Sequence, residues 1–415
     1  MADGRMKTDS QKITYHTATN GLRMVHLHVA GSPIGYAGVS VAAGSRDEDA
    51  AHAGLAHFVE HTIFKGTERR SAWHIINRME TVGGELNAYT TKEETVVYSV
   101  FPGRSPARAA ELIADLIINS RFPERELAKE REVVADEIDS YLDTPSEAVF
   151  DDFEDLLFAG SGLGHNILGD RERLTSFTGE VCRDYLRRYY VPEAMTAFYA
   201  GPMGTDAVFA CLERYFCMAP GGKPAVARVL PPAVAPFERR RRIESHQCHT
   251  VIGARVGGLD SGERFTVALL TNILGGPGMN SLLNVALRER RGLVYNVEAS
   301  TGIFSDCGEL TVYYGCDPAD ESRCRGLVAD TLASVADGYI NQRRLEQAKK
   351  QYLGQLTVGS VNLESRILGI ARSTLTLGRA LTPAEVAEAI RSVDCESLRT
   401  LAARIAEGAS SLTLG

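Results

Sequence analysis

Residues 51–67 read AHAGLAHFVEHTIFKGT and set two imidazoles and a carboxylate within five positions: His57, Glu60 and His61. On a helix advancing about 100° per residue, Glu60 falls about 60° to one side of His57 and His61 about 40° to the other. The three side chains share one face, while Leu55, Phe58, Val59, Thr62 and Ile63 occupy the opposite arc. Two imidazoles one turn apart can reach a single zinc ion, and a glutamate beside them can take a proton from an activated water. A solvated helix face that happens to carry two histidines is the competing reading of these residues alone. A tetrahedral zinc centre with catalytic capacity needs a third protein ligand and one open position.

The segment EREVVADEIDSY (130–141) offers that ligand. With Glu130 as origin, Leu127, Val133, Val134, Glu137, Ile138 and Tyr141 fall within about 80° of it, and Arg131, Glu132, Asp136 and Asp139 on the far arc. Glu130 and Glu137 are therefore expected on the buried face, where a carboxylate without a partner is costly. Either both serve buried ion pairs, or Glu137 binds zinc while Glu130 orients one of the ligands from behind.

The elements that must hold these residues are those of a soluble globular chain. It has 415 residues and a mass of 45.1 kDa, so two domains are expected, and its 44% hydrophobic and 24% charged content excludes disorder and repeats of the collagen kind. No apolar run approaches the roughly 18 residues of a membrane span. The net charge of −8, with one short arginine block, argues against a nucleic-acid partner. Eight cysteines form no CxxC pair, which fits single buried thiols in a reducing compartment. The N-terminus, MADGRMKTDSQKITYH, lacks the apolar core of a signal peptide, so a cytoplasmic location is expected.

The proline- and glycine-rich stretch at 219–242 reads as a linker between an N-terminal domain (1–218) that holds the metal residues and a C-terminal domain (243–415). Its arginine block, 239–242, reads as a solvated strand entry. The two halves look like distant copies. A shift of 218 lays LAKEREVVADEI (127–138) on LEQAKKQYLGQL (345–356), and a shift of 216 lays TVVYSVFP (95–102) on TVYYGCDP (311–318). Strands are predicted at 21–29, 34–44 and 94–102, and helices near 50–65, 71–82, 105–120, 124–142 and 145–158. The fold class is α+β, with two homologous sheet-plus-helix domains in one chain. His26 and His28 alternate on a strand and should face one side of a sheet. His74, His165, His246 and His249 read as structural or surface residues.

H-x-x-E-H with a glutamate 76 residues after His61 resembles the pitrilysin-type, or inverzincin, zinc metallopeptidases. The likeness extends through NGLRMV (20–25), AGSRDE (43–48), GGELNAYTTKEETVVY (83–98), EREVVADEI (130–138) and LGGPGMNSLLNVALRERRGLVY (274–295). It is closest to the short, one-site kind that includes the mitochondrial processing peptidase beta subunit. The resemblance implies one zinc per chain on His57, His61 and Glu137, with Glu60 as general base and Glu130 as supporting acid. It places Asn87 and Ala88 on an edge strand that pairs with substrate backbone, whereas the residues alone favour an ordinary strand start. Arg288 and Tyr295 match residues directed at the substrate and its oxyanion, with a plain helix-to-strand connection as the alternative. Glu147 and Asp151 match acidic positions that hold a substrate arginine. Thr144-Pro145-Ser146-Glu147 also reads as a capping box, a purely structural use.

Under the 218 shift His57 falls on Gly275, His61 on Met279 and Glu137 on Gln355, so the second half should hold no zinc. The resemblance implies a homodimer that closes like a clam around a chamber, or a heterodimer with an inactive homologue. The expected activity is endoproteolysis of short or unfolded peptides, favouring arginine-containing ones if Glu147 and Asp151 line the chamber. The alternatives are a non-proteolytic scaffold subunit, or a peptide-binding module with structural zinc, although structural zinc normally takes four protein ligands and three are found.

Overall fold

A computed structural model describes residues 12–217, 219, 222 and 228–415. Part of the expected linker, at 220–221 and 223–227, lies outside the described residues, as does most of the N-terminal segment. In the first half, strands β1 (Ile13–Thr17), β2 (Arg23–His28) and β3 (Ile34–Val41) precede helices α1 (Leu55–Thr62) and α2 (Ala72–Glu80). A hairpin of β4 (Glu85–Thr90) and β5 (Thr95–Pro102) leads into α3 (Ala107–Asn119), α4 (Glu124–Leu142), α5 (Pro145–Leu157) and α6 (Gly179–Tyr189). Strand β6 (Met195–Gly201) and helix α7 (Thr205–Phe216) follow. The second half contains β7 (Glu238–Arg241), β8 (Cys248–Gly257), α8 (Arg264–Gly275), β9 (Val294–Ile303), β10 (Cys307–Cys316), α9 (Glu321–Ala336), α10 (Gln342–Gly359) and α11 (Leu363–Leu377). It ends with α12 (Pro383–Ser392), α13 (Cys395–Gly408) and β11 (Ser410–Leu414).

The strands form two sheets, ordered β1-β2-β6-β3-β5-β4 and β7-β11-β8-β10-β9. From β2 onward the first order repeats in the second, and each sheet has one parallel pair, β2 with β6 and β7 with β11. The duplication sensed as a constant sequence offset is thus a duplication of topology. Strand β7 carries Arg239, Arg240 and Arg241 exposed at a sheet edge, the solvated strand that the arginine block suggested. No helix among the described residues is long and apolar enough to cross a membrane. All eight cysteines are free.

The chain divides into two compact units that are not contiguous halves. The first takes in the chain to Val134, Arg171–Ala227 and Asn362–Ala380; the second takes in Ala135–Asp170, Arg228–Val361 and Leu381–Gly415. The physical reason lies in two helices that begin 218 residues apart, α5 at Pro145 and α11 at Leu363. Helix α5 buries Val149, Phe153 and Leu157 with Val251, Leu412 and Leu414 of the second sheet. Helix α11 buries Ile367, Ile370 and Ala371 with Val25, Tyr36, Val96 and Phe198 of the first. Both sheets are apolar on two faces, and one face of each is covered by a helix from the other half of the sequence. A linear division at 219–242 misses this exchange.

Candidate metal centre

Helix α1 starts after Gly54, whose φ of +95° favours glycine. The Glu48 carboxylate accepts hydrogen bonds from the amide of Gly54, at 2.8 Å, and from that of Ala56, supplying partners where a helix start has none of its own. Phe58, Val59, Thr62 and Ile63 are fully buried, and the Thr62 hydroxyl donates back to the Phe58 carbonyl at 2.6 Å. The helix can therefore sit only one way round, and the opposite face presents His57, Glu60 and His61. His57 is itself buried, and its ring lies 4.6 Å from that of His61. Burial first, and the neighbouring His61 second, push the His57 pKa down to about 3. It is neutral at pH 7, the form that ligates a metal.

Helix α4 supplies the carboxylates. Leu127, Glu130, Val134 and Ile138 are buried, and Arg131 donates to the Phe177 carbonyl at 3.0 Å, fixing the rotation of the helix. The buried stripe is narrower than the sequence suggests. Val133 is 51% exposed, and Glu137, expected on the buried face, is exposed. A wheel gives the angle of a residue but not the width of the surface that covers it. Glu130 accepts from His61 Nδ1 at 3.3 Å on one oxygen and from Lys65 Nζ at 2.7 Å on the other. Burial works to raise the Glu130 pKa, but the bonds and charges of His61 and Lys65 outweigh it and the net direction is down.

His57, His61 and Glu137 bring one ligand atom each within 4.8 Å of one another. Glu137 lies three residues beyond the unit boundary, on the same unbroken helix as Glu130, so α4 itself sets its place. Two imidazole nitrogens and a carboxylate oxygen are a zinc donor set, and three protein ligands is the count of a centre with an open position. Among the described residues, no other such group of three is found.

The remaining predicted residues are distributed as follows. Asn87 and Ala88 lie on β4, the edge strand of the first sheet, and α1 packs beside that strand. Arg288 is exposed on a π-helical turn, Asn284–Glu289, rather than on a plain helix. Tyr295 is 86% exposed at a β-bulge: Val297 pairs with Tyr314 and Val294 with Cys316, which leaves Tyr295 and Asn296 opposite Gly315. Both backbone irregularities re-aim side chains, and both are frequent at functional sites. Glu147 and Asp151 stand on α5, where Asp151 accepts from the Tyr141 hydroxyl and from Asn166 at 3.2 Å. The expected capping box does not form: Thr144 makes no side-chain cap, and its hydroxyl donates to the Ser140 carbonyl at 3.0 Å instead. Sequence reasoning missed Glu48 and Lys65. Lys65 stood four residues after His61, a helical neighbour within the same motif.

Residues 23–171 match the family described as Insulinase (Peptidase family M16), and residues 176–352 match the Peptidase M16 inactive domain. An "uncharacterized zinc protease" of Mycobacterium tuberculosis is 33% identical over 390 residues, covering 93% of this chain and 89% of the relative. The chain belongs to the M16 peptidase family. Another M16 relative, the "uncharacterized zinc protease" YmxG of Bacillus subtilis, is 31% identical with 95% of each chain covered. The M16 fold recurs in crystal structures of a peptidase M16 inactive domain from Pseudomonas fluorescens (TM-score 0.89, 17% identity, 97% of this chain and 98% of that one) and of a protease from Helicobacter pylori (TM-score 0.88, 19% identity, 98% and 100%). The first match contains His57, Glu60, His61, Glu130 and Glu137. In the second half, Gln355, which the 218-residue offset lays on Glu137, accepts from Asn272 at 2.7 Å.

Proposed function

We propose that this chain is a zinc metalloendopeptidase that holds one zinc ion on His57, His61 and Glu137. The observation that carries the reading is the meeting of these three donors beside Glu60 on the same face of α1. Zinc, when bound, supplies Lewis acidity that polarises a carbonyl and acidifies water. Glu60 takes the proton from the attacking water and returns it to the leaving amine. Glu130 accepts from His61 Nδ1, which leaves Nε2 as the nitrogen that would hold the ion. The edge strand β4, with Asn87 and Ala88, holds the substrate backbone by strand addition, which requires an extended peptide and excludes folded protein.

Arg288 and Tyr295 of a facing subunit donate to the substrate and to the charge that develops on its carbonyl oxygen. In this reading the active form is a homodimer enclosing a chamber. Glu147 and Asp151 would favour peptides that contain arginine, with Asp151 already oriented by Tyr141 and Asn166. Eight free cysteines, five of them buried, fit a reducing compartment. The deciding experiment is mass-spectrometric digestion of a mixed peptide library by the wild type and by Glu60→Gln. Cuts made by the wild type alone support the peptidase. Equal cleavage by both proteins removes Glu60 from the mechanism, and cleavage by neither points to a missing partner subunit or a scaffold role, which a search for a co-purifying chain separates.

A further inference from the structure

We propose that Lys65 is a positioning residue of the metal centre, which acts through Glu130 on the orientation and tautomer of His61. The proposal rests on the reading of His61 as a metal ligand.

The backbone places Lys65 with little freedom. Helix α1 ends at Thr62 and tightens into a 3-10 turn, Ile63–Lys65. Gly66 follows with a φ of +144°, a conformation that favours glycine, so the chain leaves the helix at once. The turn is fastened on both sides. Ile63 is fully buried, and its carbonyl accepts from the Ser120 hydroxyl at 3.2 Å. The Gly66 carbonyl accepts from the Arg121 amide at 3.0 Å. Lys65 is thus carried on a rigid corner four residues after His61, one helical turn along the same face.

From that corner the Lys65 ammonium reaches one oxygen of Glu130 at 2.7 Å, while the other oxygen lies 3.3 Å from His61 Nδ1. A carboxylate with a single partner can rotate about its last bond; one whose oxygens are divided between two partners cannot satisfy both in another orientation. Lys65 therefore sets the plane in which Glu130 meets the imidazole. An ionised carboxylate only accepts, so the His61 nitrogen that faces Glu130, Nδ1, carries a proton, and Nε2 is the nitrogen that would hold a metal. Glu130 has a side chain only 10% exposed, so water offers a poor substitute for the ammonium. A positive charge near a cation also repels it. Positioning and repulsion predict opposite signs for the loss of Lys65, which makes the proposal decidable.

The test is zinc affinity of the full-length chain, stripped of metal and titrated in competition with a chromophoric chelator. Lys65→Met should weaken zinc binding by up to about tenfold, at the low end of the 10- to 100-fold usual for removing a ligand's own partner, because Lys65 acts through Glu130. Lys65→Arg should restore most of it, because a guanidinium can still hold the same oxygen. In a Glu130→Gln background, Lys65→Met should add little, since the residues act as one unit. A second readout needs no metal: nitrogen NMR of the histidine rings, recorded at a pH where the imidazole is neutral, should show His61 as the Nδ1–H tautomer in the wild type and a mixture in Lys65→Met. Unchanged or tighter zinc binding with an unchanged tautomer would overturn the proposal. So would equal weakening by Met and Arg. If the wild type binds no zinc and His61→Ala alters nothing, the metal reading itself fails, while the tautomer signature still reports on Lys65.

Discussion

Replacing Glu48 by alanine should loosen α1 without loosening the rest of the molecule. Its carboxylate spans the amides of Gly54 and Ala56 at the start of the helix that carries His57, Glu60 and His61. Loss of a side-chain cap costs about 0.5–2 kcal/mol. Loss of a negative charge at a helix N-terminus costs a further 0.3–1, roughly. Together these give about 1–3 kcal/mol, and at 1.4 kcal/mol per tenfold the opening equilibrium of α1 rises about fivefold to 150-fold. Glu48→Gln keeps one accepting oxygen but sets an NH2 against the other amide, so it should fall nearer alanine than wild type. Hydrogen exchange read by mass spectrometry reports this directly: a peptide spanning 54–63 should lose protection, while β8 and β10 of the second unit serve as internal controls. Zinc affinity should fall with it, because the imidazoles are no longer held in one register. Unchanged exchange over 54–63, or a uniform change across the molecule, would refute the reasoning.

Two further outcomes follow from the same geometry. Glu137 is exposed, so Glu137→Gln should leave the melting temperature of the metal-free protein unchanged while lowering zinc content at purification, as metal analysis would show. His26 is fully buried, and burial first and His28 second push its pKa down to about 4. The unfolded chain takes up this proton near pH 6.5 and the folded chain only near pH 4, so the stabilising contribution is complete above pH 6.5 and is lost as pH falls through that window, up to about 3 kcal/mol. Urea midpoints of His26→Gln should show a shallower acid slope between pH 6.5 and 4, and an unchanged slope would remove His26 from the acid response.

Local structure was legible where the residue pattern and the covering surface agree. The helix read at 124–142 is α4, and those read at 105–120 and 145–158 correspond to α3 and α5. The H-x-x-E-H spacing places three side chains on one face because Phe58, Val59 and Ile63 leave the helix no other face to bury. What escaped depends on partners distant in sequence. The apolar stripe of α5 declares that it will be buried, not which sheet will bury it, and the exchange with α11 follows from surfaces made elsewhere. Exposure of Val133 and Glu137 is invisible to a helical wheel. The bulge at Tyr295 arises from register against β10, which no local spacing encodes, and the π-turn at Arg288 has no signature in the helical spacing. Lys65 was in plain view, but its role needs the distance to Glu130.

The second sheet repeats the order of the first, but the second half of the sequence carries no counterpart of the metal residues, and at one of these positions the packing leaves no room for a side chain. Under the 218-residue offset Gly275 falls on His57, and it ends α8, which packs against β9. A Cβ added there would lie 2.5 Å from the backbone nitrogen of Ala299 and 2.9 Å from the Ala299 Cβ. Backbone cannot yield as a flexible side chain can, so even alanine must force α8 and β9 apart. Restoring a histidine is excluded on steric grounds before ligation is considered. Gly275→Ala should therefore destabilise by about 1–3 kcal/mol, the range of overpacking. Gly354→Ala in α10, where an added Cβ meets nothing within 4 Å, should instead stabilise by about 0.5–1 kcal/mol through the helix preference for alanine. Urea unfolding of the two variants beside wild type separates these cases. If Gly275→Ala proved as harmless as Gly354→Ala, helix and strand would not be in close contact there, and sterics would not account for the missing histidine.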